Sequence, residues 1–96
     1  MHTMNENLIE HRPDEHRYEM AFDDGLVWAE YAQNGDTLAI LHVEAEPPLR
    51  GTGAADIFMQ ALANHARDKG VKLKPICSYA AVWLKRHHDH HDVLAV

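Results

Sequence analysis

Four groups of residues in this sequence have the types and spacing to do chemistry. The first is the run Leu49-Arg50-Gly51-Thr52-Gly53-Ala54-Ala55. Two glycines separated by one residue let a backbone turn tightly and come close to a ligand. The helix-like segment that follows aims unpaired N–H groups and the positive end of its dipole at that turn. Such a turn selects an anion, most simply a phosphate. Two common phosphate loops are excluded. No Gly-x4-Gly-Lys-Ser/Thr occurs, and Asp56 stands where the third glycine of Gly-x-Gly-x-x-Gly belongs. The second group is His42 and Glu44, an imidazole and a carboxylate two positions apart. On a strand that separation puts both on one face, an arrangement suited to general-base chemistry. The third is Cys77, the only cysteine, between a strand-like and a helix-like segment. A helix N-terminus favours the nucleophilic thiolate, whereas the competing reading is a small apolar side chain in the core. The fourth is His87-His88-Asp89-His90-His91-Asp92, which reads either as a metal chelator or as a polar, partly disordered surface segment.

The elements that must position these residues follow from periodicity. Residues 1–13 are polar and read as a loose end, with Leu8-Ile9 able to add a short edge strand. Tyr18, Met20 and Phe22 alternate on one face of a strand beginning at Arg17. Asp23-Asp24-Gly25 forms a turn, and Leu26 to Gln33 is a second strand carrying Trp28 and Tyr31. Asn34-Gly35 is the strongest hairpin signal in the chain and leads into a third strand from Thr37 to Glu44. Pro47-Pro48 stops that strand. The period then changes: Ala54, Ile57, Phe58, Ala61, Leu62 and Ala66 fall on one helical face, with Lys69 and Gly70 closing the helix. Val71 to Ile76 reads as a fourth strand that Pro75 interrupts, and Ser78 as the cap of a helix from Tyr79 to Arg86. Trp28, Tyr31, Trp83 and Leu84 read as core aromatic and apolar positions. The order β-β-β-α-β-α describes an α+β domain with helices packed on a mainly antiparallel sheet.

Composition narrows the function classes. Ninety-six residues, 46% apolar and 25% charged, describe one globular domain over residues 1–96, with residues 88–96 as a histidine-rich tail. No apolar run approaches the roughly 20 residues of a membrane helix, and residues 1–10 lack the pattern of a signal peptide. A single cysteine suits a reducing cytoplasm. The net charge of −6 argues against general nucleic-acid binding and is compatible with a cationic substrate.

Taken in order, these residues resemble the GCN5-related N-acetyltransferases, and among them the small YjdJ-like branch of single domains. The resemblance is carried by Arg50-x-x-Gly53-x-Ala55, which matches that family's Arg/Gln-x-x-Gly-x-Gly/Ala loop. Further matches are His42-x-Glu44, Pro47-Pro48-x-Arg50-Gly51-x-Gly53, Lys69-Gly70-Val71-Lys72, Pro75-x-Cys77 and the helix ending at His87. Together they cover about Arg17 to His87.

The resemblance implies a minimal GNAT-like fold that binds acetyl-coenzyme A and transfers its acetyl group to an amine of a small molecule or protein. It implies that backbone N–H groups of Arg50, Gly51, Thr52, Gly53, Ala54 and Ala55 hold the pyrophosphate, with Arg50 adding a charged contact. The strand around Leu41, Val43 and Ala45 would bond pantetheine and orient the thioester carbonyl. His42 and Glu44 would take a proton from the amine. Cys77 would carry an acetyl group if the route is covalent, although the superfamily generally transfers directly. Tyr79 would protonate the departing thiolate or cover the site. The chain departs from the family where His88 replaces a proline and at His90-His91. Two other readings compete: a coenzyme A-binding module without turnover, and a histidine-rich metal-binding or interaction protein.

Overall fold

Apolar alternation from Tyr18 onward builds a mixed five-stranded sheet, seen in a computed structural model that describes residues 8–95. The strands are β1 (Glu10–Arg12), β2 (Arg17–Phe22), β3 (Gly25–Asn34), β4 (Thr37–Ala45) and β5 (Lys72–Pro75). They lie side by side in chain order. The first three pairings are antiparallel. β5 runs parallel to β4, after a crossover through helix α1 (Ala54–Lys69). Helix α2 (Ser78–Arg86) follows β5. Short 3-10 turns lie at Pro13–Glu15, Pro47–Leu49 and His88–Val93. The fold is thus the expected α+β arrangement.

Local details differ from the sequence expectation. The edge strand forms at Glu10–Arg12 and not at Leu8-Ile9, because those residues pair with Arg17–Glu19 beyond the Pro13 turn. Pro75 does not interrupt β5. It is the last strand residue, opposite Ile40, where no further ladder donor is required. Ser78 is the first residue of α2 and Cys77 its N-cap, without a side-chain cap bond. Ile57, placed on the apolar face by the helical wheel, is 47% exposed.

One core fills the space between the sheet and the two helices. β2, β3, β4 and β5 contribute Met20, Val27, Ile40 and Leu73, and the helices contribute Phe58, Leu62, Ala80 and Leu84. β4 faces this core in two different phases. Leu38 and Ile40 point inward, and after them Val43 and Ala45 do. The change of phase is a bulge: Tyr31 pairs with Ile40 and Glu30 with His42, so Leu41 has no partner on β3. Leu41 and His42 consequently both lie exposed.

The other face of the sheet is polar. Two rows cross four strands in register: Glu10, Glu19, Trp28 and Glu44, then Arg12, Arg17, Glu30 and His42. Arg12 bonds Glu10 at 2.6 Å and Glu19 at 3.2 Å, which offsets the repulsion of two facing carboxylates. Arg17 lies 3.4 Å from Glu19 Oε2, too poorly aimed for a hydrogen bond, with its guanidinium 4.7 Å over the Trp28 ring. Trp28 therefore belongs to this outer face, whereas Tyr31, Trp83 and Leu84 are core residues as expected.

The histidine-rich segment is folded rather than trailing. His88–Val93 forms a 3-10 turn against both helices, and Leu94 bridges to Leu73 of β5. His90 is buried at 5% exposure. Its Nδ1 faces Arg67 Nη2 at 3.0 Å and its Nε2 faces Gln60 Oε1 at 2.7 Å. Arg67 donates, so Nδ1 accepts and the Nε2–H donates to Gln60: the ring is the neutral Nε2–H tautomer. Arg67 also holds Asp92 through two bonds of 2.6 and 2.8 Å, which depress the Asp92 carboxyl to about 2. Replacing His90 removes a buried ring that packs on Trp83 and leaves unmade its bonds to Gln60 and Arg67. His90→Ala is expected to lower stability by roughly 1–3 kcal/mol in urea unfolding. His88→Ala, at an exposed position, should change it by less than about 0.5 kcal/mol.

Candidate functional site

The sheet opens at one point. Pairing of β4 with β5 ends at Ile40 and Pro75, and the Ile40 carbonyl then accepts the N–H of both Ile76 and Cys77, each at 3.0 Å. From there the chain turns into α2. β4 instead continues along β3 to Ala45. Residues 41–45 therefore have β3 on one side and, among the described residues, no strand on the other. A wedge forms between this free edge and the start of α2, with Cys77 at its apex.

The glycine loop follows directly on the free edge. Leu49 is buried and anchors the Pro47–Leu49 turn. The Arg50 N–H donates to Pro47 O at 3.1 Å, and the Thr52 N–H to Leu49 O at 3.2 Å. The Thr52 hydroxyl donates to Leu49 O at 2.5 Å and accepts from the Ala54 N–H at 3.2 Å. Thr52 thus does the capping work that Gly53, the N-cap residue, cannot. Gly51 and Gly53 have φ of 78° and 88°, and a Cβ on either would meet nothing within 4 Å. Among the described residues, no acceptor is bonded to the N–H groups of Gly51, Gly53, Ala55 or Asp56. A pocket of about 300 Å³ runs along this turn, lined by Ala45, Arg50, Gly51, Gly53, Asp56 and Tyr79 among others. Free amides, a helix N-terminus and open space beside two glycines fit an anion with a bulky body, as a pyrophosphate-containing cofactor has.

The titratable side chains fall into two sets. His42 Nε2 lies 2.9 Å from Glu44 Oε1, and Arg50 Nη2 donates to Glu44 Oε2 at 2.8 Å. These bonds, the one to His42 foremost, hold the Glu44 carboxyl below its ordinary range. An ionised carboxylate only accepts, so His42 donates from Nε2–H, and in the neutral ring it is Nδ1 that carries the lone pair. Arg50 also donates from Nε to Ala45 O at 3.1 Å. Its guanidinium thus spans the end of the free edge and rests on Glu44, not on the loop amides.

The second set is Cys77 and Tyr79 at the start of α2. Cys77 is half-buried and partly packed on the core. Burial, reinforced by Asp56 and Cys77, pushes the Tyr79 phenol up, so its hydroxyl stays protonated at neutral pH. Among the described residues, no hydrogen bond joins His42 or Glu44 to Cys77 or Tyr79.

One residue of the site escaped the sequence reading. Asp56, noted there only as standing where a third glycine would belong, accepts the Trp83 indole N–H at 2.7 Å. His87 Nε2 approaches the same oxygen at 3.5 Å, and its ring stacks on Trp83 at 3.8 Å. Asp56 therefore ties α2 to the first turn of α1 and fixes Tyr79 beside the loop. Its signal in the sequence was a carboxylate in the first turn of a helix, which the dipole favours. Among the described residues, no three His, Cys, Asp or Glu side chains gather closely enough to hold a metal ion. No helix among them is long and apolar enough to cross a membrane.

Comparisons with known proteins agree with this fold. No curated protein matches the chain. Its fold is similar to that of a GCN5-like protein from Staphylococcus aureus solved by NMR in solution, with a TM-score of 0.67 and 23% sequence identity. The match covers 96% of this chain and 91% of that one. The sequence model of the GCN5-related N-acetyl-transferase family matches residues 17–93, which include the wedge, the glycine loop and both helices. The chain belongs to the GCN5-related N-acetyltransferase family.

Proposed function

We propose that this protein is an N-acetyltransferase that uses acetyl-coenzyme A and acts on an amine. The observation that carries the reading is the divergence of β4 from β5 beyond Ile40, with a glycine loop of unbonded amides at the same end. When bound, acetyl-coenzyme A supplies an acetyl thioester activated toward amines. The N–H groups of Gly51, Gly53, Ala55 and Asp56 hold its pyrophosphate. The free edge of residues 41–45 offers backbone donors and acceptors to the extended arm. An ammonium acceptor must lose a proton before it can attack, and His42 Nδ1 is available to take it. Glu44, already bonded to Nε2, stabilises the resulting imidazolium. Tyr79, kept protonated, donates a proton to the departing thiolate. This base makes direct transfer sufficient, and Cys77 then serves as the packed apex of the wedge.

Calorimetric titration with acetyl-coenzyme A and with coenzyme A, followed by intact mass, tests the reading directly. Saturable binding is expected, and its absence would overturn the proposal. Gly53→Glu places a carboxylate among the loop amides at a φ of 88°. It should weaken coenzyme A binding at least tenfold, or about 1.4 kcal/mol. Gly53→Ala carries the backbone strain of ~1–2 kcal/mol without the charge and separates the two effects. Equal affinity in Gly53→Glu and wild type would remove the loop from the site.

The bulge offers a sharper test. Without Leu41 the inward phase of Ile40, Val43 and Ala45 becomes that of a regular strand, so the core pairing survives. The deletion variant is expected to keep its circular dichroism spectrum and to lose coenzyme A affinity by about tenfold or more, because removing the extra residue shifts the register of the free edge against the glycine loop. Unchanged affinity in a folded deletion variant would exclude the free edge as the binding surface.

Cys77→Ala is expected to retain transfer within about threefold of wild type, as direct attack requires. A loss beyond a hundredfold, together with a one-acetyl mass adduct on wild-type Cys77, would assign the covalent route instead.

A further inference from the structure

A second pocket lies at the far end of α1. It has a volume of about 290 Å³ and is lined by His11, Tyr18, Leu38, His65, Lys69 and Val71, with Gln33 on its rim. His65 is eleven residues beyond Ala54, which puts it about 16 Å along the helix from the glycine loop. The floor is closed by Tyr18 at 4% exposure and Leu38 at 1%. Rings crowd the wall: His11 stacks on Tyr18 at 4.4 Å, and His65 meets the Tyr18 ring edge-on at 5.0 Å. His11 Nε2 is fixed against the Tyr31 hydroxyl at 2.5 Å, which aims its other nitrogen away from that bond.

The charge of this lining is unlike that of the chain. The protein has fifteen acidic residues against nine Lys and Arg, a net charge of −6. Among the described residues no carboxylate lines the pocket, and Lys69 is the one permanent charge on its wall. Two imidazoles and a phenol add donors or latent cations. The last turn of α1, whose carbonyls would repel an anion, is capped inward: Gly70 N–H donates to Ala66 and Arg67, and Val71 N–H to Ala66. The remaining lining, Leu38, Val71 and the Tyr18 ring, is apolar. A volume near the lower limit of ligand pockets selects a fragment-sized guest.

We infer that this pocket is a second binding site, for a small carboxylate with an apolar body, its carboxylate held by Lys69, His65 and His11. The inference stands apart from the acetyl-transfer reading, since the glycine loop contributes no atom to it. Binding there is linked to protons. Burial first, and Lys69 second, push both imidazoles below their ordinary range. His65 also feels His11 and, in the opposite sense, Asp68. The other groups facing them are the phenols of Tyr18 and Tyr31, both pushed up by burial, and the His16 ring against Tyr31. An anion beside Lys69 favours each imidazolium, so bound-state pKa values rise and affinity grows as pH falls. A rise of about one unit in one ring gives about tenfold tighter binding at low pH.

Benzoate is the probe, followed through the assigned histidine ring signals in NMR from about pH 5.5 to about pH 8. Saturable shifts confined to His11 and His65, raised pKa values for both, and loss of binding in Lys69→Gln are expected. No saturable shift, or equal binding of neutral benzamide, would overturn the site. Equal binding of inorganic phosphate would overturn the role of the apolar body. Shifts confined to the Gly51 and Gly53 amides would assign the anion to the loop and overturn this pocket, while leaving the transferase reading intact.

Discussion

The wedge at the candidate site depends on a single backbone oxygen having two donors. The Ile40 carbonyl accepts from Ile76 and Cys77 at once, and this ends the parallel pairing of β4 and β5. A strand that loses one neighbour keeps its structure only if the other neighbour holds it, and β3 does so to Ala45. The bulge at Leu41 makes the arrangement compatible with the core. It resets the inward phase, so Val43 and Ala45 pack while the far edge stays unpaired. An exposed sheet edge is ordinarily a hazard, because its unpaired N–H and C=O groups attract other chains. Here the edge is short, follows a bulge and has the Arg50 guanidinium on its Ala45 carbonyl.

The two faces of the sheet divide the remaining labour. Both helices lie on one face and supply the core, so the other must be compatible with water. Its crossed rows of Glu, Arg, Trp and His meet that requirement, and exposed ion pairs of this kind add little stability individually. Their value lies in position. The same rows carry His42 and Glu44 to the end of the sheet where the loop begins, so polar residues required for solubility and those suited to proton transfer belong to one pattern.

Much of this was legible in the sequence, and the reasons are physical. Asn34-Gly35, Pro47-Pro48 and Gly70 punctuate the chain at places where the backbone has few alternatives, so strand and helix boundaries fell near their true positions. The loop was legible because glycine spacing is itself a geometric statement. The bulge was not, since Leu41 is neither glycine nor proline and nothing local distinguishes it from its neighbours. Missing it hid the change of phase along β4. Trp28 was misplaced because large aromatics usually pack inward, and a cation–π partner on the neighbouring strand leaves no local trace. His90 read as part of a polar tail, since its partners Gln60 and Arg67 lie thirty and twenty-three residues away. Contacts of that separation depend on tertiary packing, not on pattern.

The place of Arg50 follows from electrostatics. A pyrophosphate held on the loop, as proposed, would be negative like the ionised Glu44, and the two would lie at the ends of one short segment. In a partly desolvated site, unscreened like charges cost several kcal/mol at contact distances and bias each other's protonation. Phosphate would raise the Glu44 carboxyl, and a protonated Glu44 would no longer support a charged His42. Arg50 stands between the two. It bonds Glu44 and helps hold that carboxyl ionised, and it belongs by sequence to the loop itself. A lysine would put its charge there without the fork that engages Glu44 and Ala45 together. On the proposed function, the loop's arginine has a reason to be an arginine in its bonds to Glu44 and Ala45: it would insulate His42 and Glu44 from the charge of a cofactor on the loop.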